Sequence, residues 1–316
     1  MNRITVTALF RNKNMTLSKT KFSQFSKDLF RLTKAEIVIL EIITLVAGYL
    51  IGQTLEAPIS VSRLALVTAG VSALALASGA LNQIQERDED AQMDRTRDRP
   101  LPSGRISLAM AICITACLFL AGTVALFFVS LPVLFLGLLA VLTYNGLYTM
   151  WWKRKMAFAA IPGAIPGALP ILIGFQAAVG NLADLRGYYL FAVLFFWQMP
   201  HFWVLALKYS NDYHQGGFPT LPVVKGTQVT RFQITLWCLA YAAVGLLSAL
   251  FFPIGNLGLI GSLSISAWLI FELARFLKHP EQKTWLRFFL SINFSLILYL
   301  GVISTDLWSV LLHPHY

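Results

Sequence analysis

Three cysteines and five histidines are all that this 316-residue chain offers toward a soft-metal site or a disulfide framework. Cys113, Cys117 and Cys238 show no Cys-x-x-Cys spacing and no Cys/His pairing, which excludes a zinc ribbon and leaves packing as their role. Charge is sparse as well. Only 13% of residues are Asp, Glu, Lys or Arg against 57% hydrophobic, and the mean hydropathy of +0.66 excludes an ordinary soluble domain. The period-two alternation of a membrane barrel is missing. So are internal repeats, low-complexity tracts and any linker that would divide the chain, so one membrane domain over 35–316 follows a basic tail, 1–34.

What is present is a series of apolar runs, each long enough to cross hydrocarbon as a helix. Nine are expected, at 36–54, 62–84, 106–129, 131–150, 157–179, 187–207, 233–253, 257–277 and 286–305. The fold class is all-α, a polytopic bundle of nine transmembrane helices around a central cavity, because lipid tolerates no unpaired strand edge.

Of the 25 basic residues, all but Arg63 and Arg186 fall on one side if the N-terminus is cytoplasmic. A missed or invented span would scramble that alternation. The net charge of +10 is then a topology signal and an attraction to anionic lipid, with no nucleic-acid partner implied. The tail, basic and almost free of acid, fits a bacterial cytoplasmic segment and the inner membrane; a mitochondrial transit peptide, and the mitochondrial inner membrane, is the alternative. No cleavable signal peptide is expected.

Two inside loops are longer and richer in acids and amides than connectors need to be. The first runs Asn82-Gln83-Ile84-Gln85-Glu86-Arg87-Asp88-Glu89-Asp90 and on to Arg95-Thr96. If the helix continues, residues four apart drift by about 40° and rise about 6 Å, so Asn82, Glu86 and Asp90 form a ladder of oxygens on one face. Oxygen-only donors suit Mg²⁺, which completes its shell with water and substrate phosphates. Taken alone, the same acids suit a solvated helix end paired with Arg87, Arg95 and Arg97. The following Arg97-Asp98-Arg99-Pro100-Leu101-Pro102-Ser103-Gly104-Arg105 forces a tight return that brings guanidiniums back toward the carboxylates. Metal-binding acids beside phosphate-binding arginines are what an anionic diphosphate requires.

Asn82-x3-Glu86-x3-Asp90 followed by Arg95-Thr96 and Arg99-Pro100-Leu101-Pro102-Ser103-Gly104 resembles the first signature of the UbiA intramembrane prenyltransferases. The usual pattern has Asp where Glu86 stands, and Lys34-Ala35-Glu36 departs from a Lys-Pro-Arg common before the first helix. The second loop, from Trp197-Gln198-Met199-Pro200-His201-Phe202-Trp203 through Lys208-Tyr209-Ser210-Asn211-Asp212 to Gly226, resembles the branch of that family that farnesylates haem. Relatives acting on phenolic acceptors usually carry a second acid four residues on, where this chain has Gly216.

The resemblance implies a reaction and its residues. Farnesyl diphosphate and haem B would be the substrates and Mg²⁺ the cofactor, held by Asn82, Glu86, Asp90 and Asp212. Arg95, Arg99, Lys153, Arg154 and Lys208 would bind diphosphate. Tyr144, Tyr148, Trp197, His201 and Tyr209 would line the haem and prenyl pocket, with His201 a candidate iron ligand, His214 its competitor, and the aromatic faces stabilising a farnesyl cation. A haem vinyl group would attack that cation and water would then add. A haem A synthase or an oxidase assembly factor is the partner such a product implies. For each basic residue the plain alternative is a positive-inside anchor. The Pro/Gly run 162–170 resembles the family's fifth helix and serves helix packing equally well.

Two rival functions stand: a relative of the same fold acting on a phenolic or quinone precursor such as 4-hydroxybenzoate, and a transporter. A transporter places acids near the bilayer midplane. Here the acids cluster at one face, with Glu41 and Glu272 the exceptions.

Overall fold

The computed structural model describes residues 23–56, 59–279 and 282–312, so the expectation for the first part of the tail lies outside the described residues. Among them the secondary structure is helical, and nine helices are long and apolar enough to cross a membrane. Their order matches the sequence expectation: Ala35–Glu56, Val61–Gln85, Leu108–Val129, Leu131–Lys155, Ala160–Val179, Leu185–Lys208, Leu221–Leu246, Asn256–Lys278 and Gln282–Leu312. They are called spans one to nine below.

Caps fix several boundaries. Ser60, Ser107 and Ser130 each accept from the backbone N–H three residues on, opening spans two, three and four. Gly180, at φ 78°, closes span five in the left-handed conformation. Span seven is the main departure. It starts about a turn after Gly217 rather than at 233, because Thr220 is extended (φ −65°, ψ 159°) and Pro222 occupies the first turn, where its missing N–H costs nothing. Gly226 (φ 77°, ψ 176°) then breaks the helix, which is why the polar stretch around it reads as loop in the sequence.

Span one packs along span five at backbone contact. A Cβ on Gly174 would lie 2.0 Å from the carbonyl oxygen of Leu45, and one on Gly48 would lie 2.2 Å from that of Ile171. With no hydrophobic drive between helices in lipid, such small-residue contacts gain dispersion instead. One apolar core joins spans five to nine around Trp203, Tyr241 and Phe288, and a second joins spans one to five around Tyr49, Leu126 and Ile173. Large apolar side chains such as Phe128, Leu131 and Leu250 point outward, as a lipid-facing surface requires. Cys238 is buried; Cys113 and Cys117 are exposed on span three rather than packed inside.

A helix over 23–32 precedes span one and docks on the loop end of the bundle. Leu32 is buried against Ala80, Leu101 and Ile106, Asp28 accepts from Arg105 Nε at 2.9 Å, and Gln83 Nε2 donates to the carbonyls of Arg31 and Leu32 at 2.6 and 3.1 Å. Residues 23–34, the loop after span two, the end of span four and the loop after span six therefore meet at one end of the molecule.

Candidate active site

Span two ends at Gln85, and Glu86 (φ −108°, ψ 16°) interrupts the helix before a short helix, Arg87–Gln92. Backbone bonds from Glu86 N to Asn82 O and from Asp90 N to Glu86 O, at 2.9 and 2.8 Å, carry the turn across the break. Asn82, Glu86 and Asp90 thus stay one turn apart, and they are 1, 2 and 0% exposed. Carboxylates this deep need compensation. Three cations provide it.

Arg99 Nη1 lies 2.6 Å from Asp90 Oδ2. Lys153 Nζ reaches both Glu86 oxygens, at 2.7 and 2.8 Å. Lys34 Nζ donates to Asn82 Oδ1 and, at 3.3 Å, to the hydroxyl of Tyr144. Burial pulls the Glu86 carboxyl upward, but the Lys153 and Lys34 charges outweigh it and hold the group below the ordinary glutamate value. For Lys34, burial and the Arg99 charge dominate and bring the ammonium from 10.5 down to about 7, against the pull of Glu86. Lys34 also has φ 53°, the one non-glycine among the described residues in the left-handed region. Backbone strain of that kind is held by its surroundings and collects at functional sites.

Local structure aims each of these groups. The turn Pro100–Gly104, with Gly104 at φ 72°, reverses the chain so that Ile106 N donates to Pro100 O at 3.1 Å. Thr96 Oγ1 ties the loop to the Asp90 carbonyl at 2.9 Å. Span four finishes as a π-helix, Leu142–Trp152, a rare wide geometry that recurs at functional sites. It stacks Tyr144 on Tyr148, ring centroids 5.9 Å apart, sets Thr149 Oγ1 3.0 Å from Asn82 Nδ2, and delivers Lys153 at its end.

The charged groups ring one end of a cavity of about 800 Å³, and Asn82 stands behind them, outside its lining. Glu86, Asp90, Arg95, Arg99 and Lys153 line its polar part with Lys34 and Tyr213, and Tyr144 and Tyr148 stand further along. The apolar remainder includes Val71, Leu74, Val141, Pro170 and Ile173, with Gly163 and Gly167 of the Pro/Gly run admitting the space.

Other expected residues lie elsewhere. Asp212 sits in the short helix Ser210–Gln215 with Arg95 Nε 3.9 Å away, and Tyr209 faces the same guanidinium at 5.2 Å. They back the cavity through Arg95 instead of lining it. Arg154 turns to Glu89 and to the carbonyl of Gln85 at 3.0 Å. Lys208 lies 4.0 Å over the Trp285 ring. Trp197 and His201 require a correction: neither faces the cavity. Gln198, Phe202 and Leu205 form the stripe of span six that does. Trp197 and His201, also one turn apart, occupy the stripe facing span nine, where His201 packs between Trp197 and Phe289 at 4.8 and 5.0 Å. Trp197 Nε1 donates to Ile292 O at 2.9 Å.

The residue that sequence reasoning missed is Lys34. Its sequence signals are a basic residue directly before span one, which a topology anchor shows equally, and the lysine it shares with the Lys-Pro-Arg of the resemblance.

Among the described residues no three His, Cys, Asp or Glu side chains converge as a metal set, and Glu86 and Asp90 are each turned to a cation. Asp90 Oδ1 is nevertheless buried with no hydrogen-bond partner. A buried carboxylate oxygen left without a donor is a place for a hard cation, and with Glu86 and Asn82 beside it the donor set is all oxygen.

The UbiA prenyltransferase family model matches residues 42–297. The chain belongs to that family. A protein of Bdellovibrio bacteriovorus named protoheme IX farnesyltransferase is 39% identical over 90% of this chain and 97% of its own length. One of the same name from Bacillus pumilus is 34% identical over 89% and 93%. Among solved structures, that of a digeranylgeranylglyceryl phosphate synthase superposes with a TM-score of 0.74 at 20% identity, covering 90% of this chain and 98% of the other. A UbiA homologue from Archaeoglobus fulgidus, bound to GPP and Mg²⁺, does so with a TM-score of 0.61 at 15% identity, covering 88% and 99%. At such identities the family likeness of these structures is one of fold.

Proposed function

We propose that this chain transfers a farnesyl group from farnesyl diphosphate to a vinyl group of haem B, with addition of water, giving haem O and diphosphate. One observation carries the reading: a cavity of about 800 Å³ has a ring of buried acids and cations at one end and an apolar wall beyond, in a chain 39% identical along nearly its whole length to a protein named for that transfer. The cavity falls within the range of about 300–1,000 Å³ of sites that enclose a small ligand.

Asn82, Glu86 and Asp90 would hold Mg²⁺, with Asp212 acting through Arg95. The presence of Mg²⁺ with GPP in the Archaeoglobus homologue supports a divalent metal. When bound, the metal supplies charge to the leaving diphosphate. Arg99, Lys153, Lys34 and Arg95 bind its remaining oxygens and orient it. Tyr144 and Tyr148 line the space where allylic charge develops and supply aromatic rings to it, and the apolar wall keeps water from the reacting carbon. The farnesyl chain enters from the bilayer. The protein resides in the bacterial inner membrane with its N-terminus and acidic ring cytoplasmic, passing product to haem A synthesis or oxidase assembly.

Membranes containing the chain, given farnesyl diphosphate and Mg²⁺ together with haem B and 4-hydroxybenzoate in competition, test the acceptor. Farnesylated haem as the product supports the reading. Exclusive prenylation of the phenol overturns it in favour of the other branch of the family.

A further inference from the structure

Among the described residues, four buried carboxylates face a cation. Glu86 meets Lys153, Asp90 meets Arg99, Asp28 meets Arg105 and Glu272 meets Arg287. Asp306 has no cation within the described residues but accepts from the Gly255 N–H; Glu41 has neither. It lies in span one, its side chain is partly buried on the cavity wall, and among the described residues no hydrogen bond or ion pair reaches its carboxylate. A lone carboxylate within the span is costly, and polar groups retained there serve the pathway or the reaction.

Its position along the cavity gives it a task. Lys34, Val38 and Glu41 all line the cavity, and the first two turns of span one carry Glu41 about 10 Å beyond Lys34. The diphosphate end of the cavity is at Lys34. Glu41 stands past it, where Val71, Leu74, Ala140 and Pro170 make the wall apolar. This is the depth at which an acceptor bonded to the first prenyl carbon would sit.

Resting on the proposed haem farnesylation, we propose that Glu41 is the base that completes the water addition. When the vinyl terminus bonds to the allylic carbon, the positive charge moves to the vinyl carbon attached to the porphyrin. Water adds there through oxygen, and the proton it sheds passes to the Glu41 carboxylate, leaving the hydroxyl on the product. No oxidant or reductant enters: the carbon–oxygen bond of the diphosphate breaks, one carbon–carbon and one carbon–oxygen bond form, and the proton leaves through Glu41. Glu86 and Asp90 are unsuited, being engaged by Lys153 and Arg99 at the diphosphate end.

The test uses the full chain in membranes with haem B, farnesyl diphosphate and Mg²⁺, and resolves products by mass. The parent gives hydroxyethylfarnesyl haem. Glu41→Gln keeps the shape but removes the base, so hydrated product falls about 100-fold, and farnesylated haem lighter by one water appears as the cation loses a proton from carbon instead. Glu41→Asp, which retains a carboxylate, restores hydrated product in part and keeps the inference testable if the glutamine variant folds poorly. Hydrated product at the parental rate from Glu41→Gln, or equal loss in both variants, overturns the role of Glu41 alone. A parent chain that forms no farnesylated haem overturns the haem reading with it.

Discussion

Replacing Lys153 with methionine leaves Glu86 in place while removing the ammonium that sits 2.7 and 2.8 Å from its two oxygens. Glu86 is 2% exposed and the Lys153 side chain 16%, so solvent cannot take over. Removing one partner of such a buried pair costs about 3–5 kcal/mol. The Lys34 charge also acts on Glu86, which places the expected loss near 3 kcal/mol, the lower end of that range. The assay is unfolding in mixed micelles titrated with SDS, comparing parent, Lys153→Met, Glu86→Gln and the double variant. The double variant removes both charges, so it recovers most of the stability lost by Lys153→Met, and the cycle yields a coupling of 2 kcal/mol or more, at about the upper part of what contacting pairs show. Additive effects, or a Lys153→Met variant as stable as the parent, would refute the compensation argument for the whole acidic ring.

Other outcomes follow from the same geometry. Lys34 has an ammonium lowered from 10.5 to about 7, so its burial cost is full below pH 7 and fades as pH rises; stability should therefore rise with pH above 7 from this group, and Lys34→Met should flatten that rise in the same SDS titration. Gly174→Ala puts a Cβ 2.0 Å from the Leu45 carbonyl oxygen and should destabilise by at least the 1–3 kcal/mol or so typical of overpacking; unchanged stability would mean that spans one and five are not in backbone contact. Asp212→Asn removes a partner that is 3.9 Å from a 40% exposed Arg95 and itself 20% exposed, so stability should hold within about 1 kcal/mol while kcat/KM for farnesyl diphosphate falls as Arg95 loses its alignment. His201→Phe should leave haem farnesylation at the parental level; its abolition would put the histidine back at the acceptor.

Apolar runs of about 20 residues fix a helix count because lipid leaves the backbone no other option, and eight of the nine spans are legible to within about seven residues at either end. Span seven is not, because Pro222, Lys225 and Gly226 look like loop chemistry; a proline in a first turn and a glycine at a break both read as ends of a helix. Asn82, Glu86 and Asp90 are legible as a group since four-residue spacing survives even the interruption at Glu86. Their partners are not: Lys34 is 48 positions from Asn82 and Lys153 is 67 from Glu86, and no local pattern couples such distances. The stripe of span six that meets the cavity could not be chosen either, since Trp197 with His201 and Gln198 with Phe202 have equal spacing and only the positions of spans five and nine decide between them.

The central claim is that the buried ring around Asp90 handles the diphosphate of a haem farnesyltransferase. Its most direct test is extraction and mass analysis of haem from membranes containing the chain with haem B and farnesyl diphosphate, with and without Mg²⁺, beside Asp90→Ala. The account predicts a hydroxyethylfarnesyl haem peak that requires Mg²⁺ and disappears in the variant. The same peak at the same height from a well-folded Asp90→Ala chain would contradict it.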